Sequence, residues 1–142
     1  MASSPPIVLY LPRWYPNRYD PMPGLFIERH ARSVSGHVSI TVLYVHQDEH
    51  LKENRFEIER FRDDEIFQIK IYYRPSTFPL GMIRPLVNLA KYFHWNRKGM
   101  KMVRKEAGKP DLIHVNVMTR LGMIALFYKW CTGTPYVITE HW

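Results

Sequence analysis

Polar, aromatic and imidazole side chains gather at three points in this sequence, each at the end of a short apolar run. Behind residues 7–11 come Arg13, Trp14, Asn17 and Arg18, and the loop PRWYPNRYDPMPG closes on Pro23-Gly24. His114 and Asn116 belong to the run DLIHVN, while Glu140, His141 and Trp142 follow YVIT. In open α/β sheets the ligand crevice lies beyond the carboxyl ends of the strands, so residues just after strands are the ones placed to meet a ligand. Together these supply aromatic faces, hydrogen-bond donors and acceptors, and one helix N-terminus able to receive an anion. That mixture suits a sugar or phosphosugar.

Other chemistries lack their residues. A dinucleotide site needs G-x-G-x-x-G between strand and helix, for close approach of backbone to pyrophosphate, and the first loop offers only Gly24 among bulky neighbours. No G-x-x-x-x-G-K-[ST] phosphate loop occurs. His46 and His50 have the i, i+4 spacing of a zinc helix, but Gln47-Asp48-Glu49 lies between them where H-E-x-x-H requires glutamate first. A solvated loop is the favoured reading there, and no metal site is expected.

The elements that must position these residues are legible from periodicity. Residues 7–11 form a continuous apolar run closed by Pro12, the pattern of a strand buried on both faces. From Gly24, Leu25, Phe26, His30 and Val34 follow at helical spacing until Ser35-Gly36. A second buried-type strand spans 38–45, so strand, helix and strand imply a right-handed parallel crossover. Residues 56–62 and 66–73 alternate apolar with polar and read as an antiparallel hairpin or sheet edge. A long basic helix starts near Pro85, its Leu86, Leu89, Ala90, Phe93, Met100, Val103 and Ala107 near one face, with a kink expected at Gly99. A strand over 111–115, a helix over 119–131 with Thr119 as N-cap, and a strand over 136–139 repeat the first pattern. The expected architecture is α/β with a mostly parallel sheet.

Composition sets the bounds. The chain has 142 residues, of which 46% are apolar and 14% aromatic, too many for a disordered chain. The net charge of +7 is local: residues 81–109 hold eight Lys or Arg and one acid, leaving twelve of each sign elsewhere. Cys131 is the single cysteine, so the chain holds no intrachain disulfide, and the apolar run at 7–11 is shorter than a secretory signal requires. A reducing cytoplasm is the expected compartment, with a peripheral place at the inner face of the plasma membrane.

VLYLPRWYPNRYDPMPGLFIERHA, PDLIHVNVMTRLGMIALFYKW and GTPYVITEHW, in that order, resemble the N-terminal domain of bacterial family 4 glycosyltransferases of the GT-B fold. The resemblance implies a Rossmann-like, acceptor-side half of an enzyme that transfers a sugar, with retention, from a nucleotide-sugar to a glycan or lipid-linked acceptor in surface polysaccharide synthesis. It implies no metal and no bound cofactor, since the nucleotide-sugar is a co-substrate. His141 matches the histidine expected at the reacting sugar or acceptor. Pro23 and Gly24 match the loop that approaches the donor phosphates, and His114 matches the D-x-I-H position. Asn116 stands where a second histidine is often found. Trp14 and Glu140 complete the expected site. On this reading residues 1–142 are an incomplete N-terminal domain whose nucleotide-sugar domain lies outside the sequence, and the chain alone is expected to be inactive.

Plainer roles stand beside these. By position alone His141 is an ordinary strand-end histidine, and His114, among Leu112, Ile113 and Val115, is equally a core histidine. Glu140 is either a negative group beside His141 or the partner of an arginine. Trp14 and Tyr15 either stack on a sugar or pack the loop down. On the basic helix, Lys91, Lys98, Lys101, Arg104 and Lys105 form a solvated face. With Trp95 and Met102 among them, Lys91, Lys98 and Lys105 instead suit an anionic membrane. The competing reading of the whole chain is a stand-alone basic module for membrane or nucleic acid. Nucleic acid is disfavoured because no recognised binding motif occurs.

Overall fold

The computed structural model describes residues 3–141. Among them the elements run β1 (Ile7–Pro12), α1 (Leu25–Val34), β2 (Ser39–Gln47), β3 (Phe56–Arg62), β4 (Ile66–Tyr73), α2 (Arg84–Glu106), β5 (Leu112–Asn116), α3 (Thr119–Thr132) and β6 (Tyr136–Thr139). The strands form one six-stranded sheet in the order β3-β4-β2-β1-β5-β6. Every neighbouring pair is parallel except β3 with β4. The protein is α/β with a mostly parallel, Rossmann-like sheet.

Parallel strands need long crossovers, and the helices in those crossovers cover the sheet faces. Leu9, Leu11, Ile113 and Val115 pack with residues of α2 and α3 on one face. Val8, Tyr10, Val42 and Tyr44 pack with Ile27 and Ala31 of α1 on the other. The chain thus leaves β1 across one face toward β2 and leaves β5 across the opposite face toward β6. The order of connection reverses between β1 and β5, and their carboxyl ends open the crevice that such a reversal creates.

Several expectations change in the folded chain. The inward residues of α1 are Ile27 and Ala31, not Phe26 and His30, which are exposed at the strand-end edge. Of the two hairpin strands only β3 is a sheet edge. β4 lies inside the sheet, parallel to β2 and buried at seven of its eight positions. Its polar Lys70 is accommodated because the ammonium donates to the Pro16 carbonyl at 2.7 Å. α2 runs unbroken through Gly99, and its buried residues are Asn96, Gly99, Met100 and Val103. Leu86 and Ala90, expected inward, are exposed because the first turns of α2 reach past the sheet. α3 begins after Met118 rather than at a Thr119 cap, and no residue of the helix start supplies a cap through its own side chain. Among the described residues, no helix is long and apolar enough to cross a membrane.

Two glycines are required by close approach. A Cβ on Gly99 would stand 2.5 Å from a Leu43 methyl, so this glycine lets α2 settle directly on β2 and β4. Gly24 has φ +69 and opens α1. A Cβ there would strike the Trp14 carbonyl and stand 2.8 Å from the Tyr15 Cα. Gly24→Ala should therefore lose on the order of 2 kcal/mol or more, from the left-handed backbone and the backbone clash together. A denaturant midpoint that falls with an unchanged slope is the expected result.

Candidate functional site

The loop after β1 is fastened before it reaches the crevice. Tyr15 is fully buried beneath it, while Trp14 remains 41% exposed with the Arg13 guanidinium 5.2 Å from its ring centroid. Tyr15 therefore packs the loop down, and Trp14 keeps an exposed ring. Arg18 anchors the loop to the ends of β2 and β4. Its guanidinium pairs with Asp48 at 2.7 Å and with Glu57, and lies over the Tyr72 ring. Burial opposes the charge on Asp48, but hydrogen bonds from Tyr19, Arg18 and the His50 amide outweigh it and hold the carboxyl below its ordinary value.

At the reversal between β1 and β5 the backbone is drawn together and strained. The Arg13 amide donates to the Asn116 carbonyl at 3.1 Å, and the Val117 amide donates to the Thr139 carbonyl at 2.9 Å. Between these ties Val117 is buried at φ +72, a conformation that β-branched residues rarely adopt. Strain on the order of 1–2 kcal/mol at such a position persists only where its surroundings over-determine it.

The side chains gathered there include most of those picked out by sequence. Asn116 is buried, and its amide nitrogen lies 3.4 Å from the His114 carbonyl. That leaves Asn116 Oδ1 as an acceptor toward His141 Nε2, also at 3.4 Å. In the tautomer whose Nε2–H donates to Asn116, the lone pair lies on Nδ1. The His141 ring also meets the edge of Phe26, centroids 4.6 Å apart. His114 is half-buried within β5, with Nε2 2.7 Å from Thr139 Oγ1 and its ring edge-on to Tyr10. The Tyr10 hydroxyl in turn lies 3.3 Å from His30 Nδ1. Burial, then repulsion from His30 and His141, push His114 below the usual histidine value.

Glu140 joins no ion pair with an arginine among the described residues. Its carboxylate accepts the Met118 amide at 2.8 Å, capping α3 from a neighbouring strand end. Gly24 and half-buried Pro23 stand at the start of α1, whose first turn has no side-chain cap. The Cβ direction of Gly24 is filled by its own loop, so the glycine is needed for packing whatever else meets this turn. Trp142 lies outside the described residues.

The residues considered for a membrane follow at helical spacing along one flank of α2, but they differ in exposure, with Lys91, Trp95 and Met102 partly buried. Trp95 is half-buried, stacked on Tyr73 and tilted against Phe56, and Met102 packs on the core beneath α2. Both side chains are thus partly buried by packing rather than free in solvent. Lys91 reaches back to within 3.4 Å of the Arg74 carbonyl. Lys98 and Lys105 are exposed, with the Lys98 ammonium 4.9 Å from the Trp95 ring centroid.

His30, Phe26, Tyr10, Thr139 and Val117 join the site without having been singled out. Parallel register places Tyr10 beside His114 and Asn116 beside Thr139, a pairing visible only once strand order is known. His46 and His50 meet the Tyr19 ring rather than each other, and no cluster of metal ligands exists among the described residues. Two cavities of about 430 and 380 Å³ lie elsewhere, and none of the crevice side chains lines either. On the shelf formed by the crevice side chains His30 is exposed, while His114 and His141 are partly buried.

The fold and this shelf define a Rossmann-like α/β chain with a histidine-rich crevice at its connection reversal. Compared with protein-family models and with curated proteins, the chain matches none.

Two measurements follow from these contacts. Glu140→Ala should cost about 1 kcal/mol by uncapping α3, with Glu140→Gln losing less, read from urea midpoints. His114 and His46 both have depressed folded values, His46 chiefly through burial. Unfolded imidazoles take up protons near pH 6.5, before the folded ones do. Stability should therefore be full above about pH 6.5 and fall as pH drops through the lower folded values. The melting temperature should follow that course, and His114→Gln should flatten part of it.

Proposed function

We propose that this chain is the acceptor-side domain of a retaining GT-B glycosyltransferase that moves a sugar from a nucleotide-sugar to a glycan or lipid-linked acceptor. The observation that carries the reading is the meeting of the three motif ends, Trp14, Asn116 and His141, with the start of α1 around one crevice. Sequence distance alone would not bring them together. Support also comes from the order of the three stretches that resemble family 4 enzymes.

Within that reading each side chain has a role its geometry permits. His141, held by Asn116 through Nε2, turns its Nδ1 lone pair toward an incoming hydroxyl or the reacting sugar. His114, kept neutral at physiological pH, lines the acceptor side without adding charge. Trp14 offers a ring face to a pyranose, and the uncapped first turn of α1 near Gly24 faces the donor phosphates. The nucleotide itself is gripped by a second domain, so the 142-residue chain does not turn over.

The test is transfer of labelled sugar by the chain joined to that second domain. His141→Ala should lower turnover by about a hundredfold or more, with an unchanged unfolding midpoint. Turnover within tenfold of the parent would remove His141 from the chemistry, and turnover by the 142-residue chain alone would overturn the two-domain reading.

A further inference from the structure

The segment leading into α2 is an apolar projection with a fixed shape. Phe78, Leu80, Met82, Ile83 and Leu86 are all exposed, Met82 at 91%. The segment is held in place: the Ser76 amide donates to Asn88 Oδ1 at 2.6 Å, and the Ile83 and Arg84 amides both donate to the Leu80 carbonyl at 3.0 Å. An ordered cluster of large apolar side chains standing in water marks an interaction surface.

Its chemistry is completed along α2. The outward stripe of the helix continues from Leu86 through Ala90 and His94 to Arg97, Lys98, Lys101, Arg104 and Lys105, all exposed. At 1.5 Å per residue the stripe from Leu86 to Lys105 runs roughly 28 Å. None of these five basic side chains joins an ion pair among the described residues, where the paired cations are Arg18, Arg32 and Arg60. The single acid of α2, Glu106, is taken by Arg60 at 2.9 Å. The positive field of the helix is therefore uncompensated, and it lies in line with the apolar tip.

We propose that the tip at residues 78–86 and the outward basic stripe of α2 dock this protein on an anionic phospholipid surface, the tip entering the headgroup region and the stripe lying along it. Charge complementarity selects the occupant. An apolar protein partner would leave five cations unopposed, and a nucleic acid would leave the tip in water. A bilayer with anionic headgroups satisfies both at once. Trp95 and Met102 take no part, being packed on the sheet. The inference stands independently of sugar transfer.

The experiment is cosedimentation of the 142-residue chain with vesicles of phosphatidylcholine, alone or mixed with phosphatidylglycerol. Binding should require phosphatidylglycerol and weaken as salt is raised. The pair L80S and M82S should weaken it about tenfold or more, through lost apolar contact. The set R97E, K101E and K105E should weaken it by at least about fivefold per residue. All five positions are exposed, so an unchanged unfolding midpoint is expected; should the charge variant fail to fold, the serine pair decides alone. Equal binding to neutral vesicles overturns the proposal. So does a serine variant that binds like the parent, or duplex DNA bound as tightly as the anionic vesicles by parent and serine variant alike.

Discussion

Parallel pairing on both edges of β1 is the constraint on which the remaining structure depends. A strand whose Val8 to Leu11 are all buried can exist only where both faces are covered. Parallel neighbours force each connection to cross a face, and right-handed crossovers send the chain one way from β1 and the other way from β5. The covering helices therefore lie on opposite faces, and no helix closes the gap beyond Pro12 and Asn116. The crevice is a by-product of how the core is covered. Its residues come from four separate stretches because four chain segments end at that line.

What surrounds the crevice is held by polar ties rather than apolar burial. Arg18 holds the first loop to Asp48, the Asn116 and Thr139 carbonyls receive amides from neighbouring segments, and Glu140 caps α3 across a strand boundary. Each tie satisfies a backbone or charged group that the edge of the sheet would otherwise leave without a partner. Val117 is strained at the centre of this arrangement, where both flanking bonds fix its position. At this edge the imidazoles of His114 and His141 meet Thr139 and Asn116.

Charge is organised by the same separation. Arg18, Arg32 and Arg60 gather Glu28, Asp48, Glu57, Glu59, Asp63, Glu65 and Glu106 into local pairs. Arg18 and Arg32 each meet three carboxylates. Hydrogen bonds from the Ile66 amide and Arg32 hold Asp63 down at about 2, against a smaller opposing effect of burial. With the acids so engaged, the outward side of α2 keeps its positive charge unanswered. A modest net charge thus becomes a directed one.

Element type and order were legible in the residues because periodicity and punctuation are local. The runs at 56–62, 66–73 and 136–139 coincide with β3, β4 and β6, and Gly133 closes α3 in the left-handed conformation that such a stop requires. The positions of the candidate side chains were legible too, since His114 and Asn116 lie within the run that forms β5 and His141 follows the run that forms β6. Rotation and neighbours were not. Helical spacing fits Phe26 as well as Ile27 to the core, and in the folded chain it is Ile27 that turns inward. Trp95 and Met102 read as part of a basic face, but Trp95 packs on Phe56 and Tyr73 and Met102 on the core. Glu140 became a helix cap because β6 ends beside α3, a juxtaposition made by strand order across 22 residues of chain. Local pattern specifies which segments fold and with what polarity. Which side chains meet depends on long-range pairing, because contacts between distant segments exist only after the sheet has set their register.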